Sequence, residues 1–509
     1  MANTLSLGSG NWGAKESLLL GYYEDGGKFF PETFDVTRAT PATRVDKDGL
    51  IVTDTEIVSG ELVTNGDFAT DSDWTKQANW SIGFGKANSN GTGLIYQTAV
   101  SYVDGKTYKV TFNANITSGS GTVRLGNTST STAFVNGLNE FYLQTDVSNT
   151  TKYIFFQGNS FIGSIDNVSV IEVNQKNLAR IDYTDSTKGV LLTEPLSTNL
   201  IKDSNVLNRI GGGAVELNSG ISPDGTQNAV KLIFGAALND AALMDISGSP
   251  AVANTIHTFS VYAKSLVGDG QFGVRIDTDT QSVVGNQSFT ATTEWVRYSF
   301  QFTTDALSST FASNSRMRKR GTPNNEILFY GLQMEKLSYA TSIIPTYGST
   351  VTRNQDQVTN GGDVKNFNSE EGVLYAEIAA LEDDLTYRGI SLNDGTNANS
   401  LSIRYRPNSN RVNGIIKDDN GANFQLNFDI SDITQFNKIA LKYKSGDTSM
   451  YINGTEVVTS SLAFSFTSAL NDLSFNRGDS GDKFFGKTKN VQVFNEALTD
   501  SELVALTTI

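Results

Sequence analysis

Six side chains between Trp80 and Gln157 are of the types that a sugar-binding surface uses. Trp80, Tyr96 and Tyr142 offer ring faces on which the apolar side of a pyranose can stack, and Gln97, Arg124 and Gln157 offer amide and guanidinium groups to its hydroxyls. Most other chemistries lack their residues. Cysteine is absent and histidine occurs once, which removes thiol nucleophiles, disulfide frameworks, Cys or His zinc sites and nearly every Ser-His-Asp arrangement. His257 opens a strand-like run with no partner His or Cys and is expected at the surface. Glycoside hydrolysis needs two carboxylates facing one bond. With 54 acidic residues, chance pairs are plentiful, and no long β-helix repeat accompanies them, so the chain is expected to be no enzyme. The one basic cluster, SRMRKRG from Ser315 to Gly321, is expected as a solvated loop or a contact with an acidic neighbouring subunit; contact with phosphate or an anionic glycan is the sharper alternative.

Strands must position these groups. Alternation of apolar and polar residues recurs in TYKVTFNANI (107–116), HTFSVYAKS (257–265) and WVRYSFQFTT (295–304). Clusters of Gly, Asn, Ser and Asp between such runs supply turns. The expected fold class is therefore all-β and multidomain, with three β-sandwich modules. A length of 509 residues accommodates about three or four domains at roughly 100–200 residues each. Only the tail, Asn495 to Ile509, reads as helix, with Thr499 or Asp500 as N-cap and Glu502 near the first turn.

The chain divides into an N-terminal arm (1–60), a compact inserted module (61–173), a second sandwich (177–348), a polar linker (349–368) and a third sandwich (369–509). The ends of the inserted module are strand-like and could pair, as insertion requires. A net charge of −15 repels a phosphate backbone, so no nucleic-acid partner is expected. No stretch approaches the ~18 apolar residues of a membrane helix, and the start has no signal-peptide pattern, so neither membrane insertion nor secretion through a leader is expected.

Three resemblances add to this reading. LVTNGDF (62–68), Trp74, GKTYKVTFNA (105–114) and IDNVSV (165–170) resemble jelly-roll carbohydrate-binding modules of the fourth and ninth families. That resemblance implies a glycan-binding sandwich, often with a structural Ca2+ near the opening strand and the closing motif, here Asp67 and Asp166. FDVTRATPATRVDKDGLI (34–51), RIDYTDSTKGVLLTEPLSTNLI (180–201), SPDGTQNAVKL (222–232) and GLQMEKLSYATSIIPTYGSTVTR (331–353) look like a recurrent unit of bacteriophage tail and virion-surface proteins. LYAEIAAL (374–381), KIALKYKSGDTSMYINGTEVV (438–458) and GKTKNVQVFNEALTDSELVAL (486–506) resemble concanavalin A-like or laminin-G-like sandwiches.

Together these imply a virion-surface protein, assembled in the host cytoplasm: a tail fibre or receptor-binding subunit that holds host surface polysaccharide without cleaving it. Its expected partners are other virion proteins, contacted through the N-terminal arm, and further copies of itself, by analogy with fibres a homo-oligomeric trimer. A capsid head fibre or decoration protein, and a polysaccharide-degrading tail spike, are the alternatives.

Overall fold

A computed structural model describes every residue except 1–3, 99, 127–131, 146–151, 211–212, 236, 238–239 and 321–325. Among the described residues the regular structure is strands, all antiparallel within their named sheets, and one helix. The chain forms two compact units. Thr55–Gln175 is the inserted unit, and Met1–Asp54 together with Lys176–Ile509 is the flanking unit.

In the inserted unit the opening strand Glu56–Glu61 pairs with the end of Tyr153–Asn174. Chain entry and exit are thereby brought side by side. Two strands of unusual length, Thr107–Leu125 and Tyr153–Asn174, pair with each other, and Lys86–Thr98 pairs with the second on its other side. Their pairing shifts register at Thr111/Asn113, Ile116/Ser118 and Ser118/Ser120, and that of Lys86–Thr98 at Gly91/Gly93. Bulges bend a strand and add twist, so each long strand serves two layers. Gly119 sits in such a bend at φ +77°, where an added Cβ would strike the carbonyl of Ser160. The layers close over an aromatic core: Phe112 meets Phe156 at 4.8 Å edge-on, and Trp74 lies 5.0 Å from Phe68 and 6.2 Å from Phe156. This closed double layer is the β-sandwich expected from alternation.

The flanking unit contains two further sandwiches. Residues between Leu207 and Glu335 form two five-stranded sheets around a core that includes Phe259, Val261, Phe272, Val274, Phe329 and Met334. A twelve-stranded sheet faces the five-stranded sheet of Asn423–Asp429, Arg411–Lys417, Ser400–Tyr405, Arg388–Asn393 and Asp472–Ser474, with a common core from Leu5 to Val493. The helix Asp500–Thr507 has Thr499 as N-cap and a capping box with Glu502. Its Leu503 packs on Val373, Tyr375, Ala440 and Tyr451 of the large sheet. Thr499→Ala is expected to cost about 1 kcal/mol, readable as a lowered urea midpoint for the flanking unit.

Four readings of the sequence are corrected here. The first 60 residues are not an arm: Thr4–Gly8 pairs with Gly486–Phe494 on one side and Leu18–Asp25 on the other, and Lys28–Thr37 follows. Leu5, Leu7, Leu19, Phe34 and Val36 are buried in the sandwich core. TLSLG alternates over only five residues, and one of its two pairing partners lies at the other end of the chain, so no local pattern places it in this sheet. Nor is 349–368 a linker, since Val351–Arg353 pairs with Ser197–Asn199, Gln357–Thr359 pairs with Lys28–Thr37, and Arg353 and Asp356 are buried. The basic cluster is not a solvated loop. Arg316–Lys319 is a strand, Lys319 is buried, and the Arg320 Nε–H donates to Ser288 Oγ at 3.0 Å; Gly321 lies outside the described residues.

The fourth concerns His257, which is fully buried between Phe302 and Phe311, with ring centroids at 5.8 and 5.3 Å. Its Nδ1 lies 3.0 Å from the Thr255 carbonyl. Burial pushes its pKa below the ordinary 6.5, because a charged imidazolium is poorly solvated there. The folded state therefore holds the proton less well than the unfolded chain, and this group's contribution is complete above pH 6.5 and lost as pH falls below it. The melting temperatures of the native chain and of His257→Gln are expected to converge between pH 7 and pH 5. A constant difference across that range would show that His257 does not titrate on unfolding.

Candidate functional site

Strand alternation in the inserted unit sorts YIFFQG (153–158) into two faces. Ile154 and Phe156 are in the core, while Tyr153, Phe155 and Gln157 lie on the opposite side. Cross-strand register then brings Tyr96, Phe155 and Arg124 into one row over three neighbouring strands, and Leu94, Gln157 and Thr122 into the next. The guanidinium carbon of Arg124 stands 4.9 Å from the centre of the Phe155 ring. Tyr153 lies 5.4 Å from Phe155 and 6.0 Å from Tyr96, both at tilted angles. With the guanidinium above it and tyrosines beside it, Phe155 is only 8% exposed. Tyr96, Tyr153 and Arg124 are half-buried and Gln157 is exposed.

This arrangement suits a saccharide. Tilted phenol rings offer apolar area and a hydroxyl, and the adjacent guanidinium and carboxamide present hydrogen-bond donors in nearly fixed positions. Packing on Phe155 restrains Arg124, so less side-chain freedom remains to be lost when a ligand binds.

The structure thus brings together Tyr96, Arg124 and Gln157 of the six candidates. Trp80 is 7% exposed and packs on Phe161 at 5.7 Å, so its faces are spent in the core. Gln97 is also buried. Its Oε1 accepts from Thr64 N at 3.0 Å and its Nε2 donates to Thr64 O at 2.7 Å, which ties the opening loop to the sheet. Tyr142 lies elsewhere, opposite Lys109 on Gly137–Gln144, and its hydroxyl donates to Glu140 at 2.9 Å. Sequence reasoning missed Tyr153 and Phe155. The signal was the alternation in YIFFQ, obscured because Ile154 and Phe156 between them are equally apolar.

The segments carrying Asp67 and Asp166 adjoin, since Val168 N donates to Gly66 O at 2.8 Å. The carboxylates themselves serve the local backbone: Asp166 Oδ1 accepts from Asn167 N at 2.7 Å and Asp67 Oδ1 from Ala69 N at 3.3 Å. Among the described residues no group of three or more His, Cys, Asp or Glu side chains is placed to hold a metal ion.

A second constellation is ionic and wholly interior. In the flanking unit Arg180 bridges Glu194 at 2.6 Å and Asp356, Arg38 meets Asp356 at 2.9 Å, and Arg353 meets Glu194 at 2.7 Å. All five are buried. Ser342 donates to Glu194 through its N–H at 2.8 Å and its hydroxyl at 2.7 Å, and Glu194 N donates to Asp356 at 2.8 Å. Burial alone would raise the Glu194 carboxyl, but Arg353 and Arg180 outweigh it and hold the group well below the usual range; Asp356 is lowered likewise by Arg180 and Arg38. Closed to solvent, the cluster joins segments from three distant parts of the chain, which makes it a structural tie.

Residues 375–504 match the concanavalin A-like lectin/glucanases superfamily. The matched span starts within the Glu371–Ala380 strand and ends in the first turn of the helix. No curated protein matches the chain. Among solved structures, the leech intramolecular trans-sialidase is 18% identical over 28% of this chain and 24% of its own, with a TM-score of 0.24. The tandem CBM22 domains of Paenibacillus barcinonensis Xyn10C are 10% identical over 56% of this chain and 99% of theirs, also at 0.24. Trypanosoma rangeli sialidase is 9% identical over 97% of this chain and 92% of its own, again at 0.24. The chain spans about a quarter of the leech enzyme.

These comparisons correct the reading of the chain as no enzyme. Sialidases are among the solved structures matched over nearly its whole length, and the expectation of no enzyme is withdrawn on that finding. Likeness at TM-scores near 0.24 assigns no reaction to this chain either.

Proposed function

We propose that the protein is a virion-surface component that grips saccharides of a host coat, with the outer face of the inserted unit as its gripping surface. The observation that carries the glycan reading is the row of Tyr96, Phe155 and Arg124 with Tyr153 and Gln157 beside it. Rings and donors converge on one side of a sheet whose other side is a packed core. The concanavalin A-like domain is a fold compatible with the same use, since function resides in sites and not in folds.

The virion reading is supported by the four tail-protein-like segments. Three of them supply charged residues to the buried tie: Arg38 from the first, Arg180 and Glu194 from the second, and Arg353 from the last. Displayed in several copies, individually weak sugar sites would hold a particle through effective concentration. Immunogold labelling of intact particles tests this part. Label along tail fibres is the expected result; label on the capsid would favour a decoration role, and unlabelled particles would overturn the virion assignment.

A further inference from the structure

The outer face of the twelve-stranded sheet is covered only in part. The helix closes it over Val373, Tyr375, Ala440 and Tyr451. Beyond the helix, where the N-terminal strands extend the sheet, a groove of about 420 Å³ is lined by Thr4, Ser6, Asn11, Tyr22, Glu24, Phe29 and Gln492, together with the turn at Gly8 and Ser9. That volume falls in the range of small-ligand sites.

Register orders these groups. Ser6 stands between Tyr22 and Gln492 in one row, and Glu24 between Phe29 and Thr4 in the next. Residues directly opposite across strands are within side-chain reach. At ~4.8 Å per strand spacing, the rows together span roughly 14 Å across four strands. Gly8, at φ +105°, lets the chain turn close above Lys489, and Ser9 N donates to the Lys489 carbonyl at 2.9 Å, closing one end.

The chemistry selects the occupant. Phe29 is 69% exposed at its hairpin, so its ring face is open to stacking by a sugar. Tyr22 supplies a second ring with a hydroxyl, Gln492 and Asn11 carboxamides, and Thr4 and Ser6 hydroxyls. Glu24 contributes a carboxylate to the lining, which among the described residues holds no Lys or Arg. Phosphates and acidic sugars are thereby repelled, whereas the hydroxyls of a neutral sugar find both acceptors and donors.

We infer that this groove is a second saccharide site, specific for neutral oligosaccharides and independent of the Tyr96 face. The two surfaces differ in sign: an arginine stands over the ring on the inserted unit, and a glutamate lies between the rings here.

The test uses the full chain and an array of neutral bacterial and plant oligosaccharides. Tyr96→Ala should retain neutral glycans, while Phe29→Ala and Glu24→Ala, checked for unchanged melting temperature, should each lose at least tenfold in affinity for them. Neutral-glycan binding abolished by Tyr96→Ala alone, unchanged by both groove substitutions, or absent from the native chain would overturn the inference. Loss of neutral-glycan binding through the groove substitutions, together with binding to host surface polysaccharide left unchanged by Tyr96→Ala, would leave the groove standing and remove the first face.

Discussion

Asp356→Asn is expected to destabilise the flanking unit by about 3–5 kcal/mol, the usual consequence of leaving one side of a buried ion pair uncompensated. Asp356 accepts from Arg38, Arg180 and the Glu194 N–H, so the amide would deprive buried Arg38 of its ion pair with Asp356 and leave Arg180 with Glu194 alone. Glu194→Gln should act similarly, through Arg180, Arg353 and Ser342. Hydrogen exchange read by mass spectrometry separates the units: protection should fall at Arg180–Asp182 and Val190–Thr193 and persist around Phe112 and Phe156. Both carboxyls have lowered pKa values in the folded chain, against ordinary values of 4.5 and 3.8. Their contribution is therefore complete above pH 4.5 and lost as pH falls below that value towards the folded pKa. In either variant the acid limb of unfolding should flatten. A loss under about 1 kcal/mol, in the range of exposed pairs, would show that the cluster is not the tie between the three segments.

The second expectation concerns binding. Tyr96→Ala should weaken binding of a single chain to surface polysaccharide extracted from the host by about tenfold, which corresponds to ~1.4 kcal/mol, the order expected for one aromatic face. Arg124→Ala should do at least as much, because it removes donors and uncovers Phe155. On an assembled particle each loss multiplies over the copies engaged, so adsorption should suffer far more than single-chain affinity. Tyr142→Ala should leave binding unchanged, since that residue stands in a different row. Equal effects at positions 96 and 142 would argue that the substitutions act through folding.

Much of the fold was legible because sandwich strands announce themselves locally. TYKVTFNANI and HTFSVYAKS alternate, turns fall between them, and Thr499 with Glu502 marks the only helix among the described residues. What stayed hidden depends on partners distant in sequence. Nothing near Leu5 reveals that it will lie opposite Val493, and RNQDQ reads as linker because arginines and carboxylates that neutralise each other in the interior look identical to solvated ones. His257 misled for a related reason: one polar ring in an alternating strand gives no sign that Phe302 and Phe311 will enclose it.

The binding face was half legible. Tyr96, Arg124 and Gln157 could be named from residue type, but type does not tell which side of a strand is core. Trp80 and Gln97 fell on the inner side. Phe155 and Tyr153 fell outside, and only the register between Lys86–Thr98 and Tyr153–Asn174 shows them beside Tyr96.

The most direct measurement is hydroxyl-radical footprinting of the full chain with and without saturating host surface polysaccharide. The account predicts protection at Tyr96 and Tyr153, with Tyr142 equally reactive in both states. Unchanged reactivity at Tyr96 and Tyr153 while the polysaccharide is bound would contradict it.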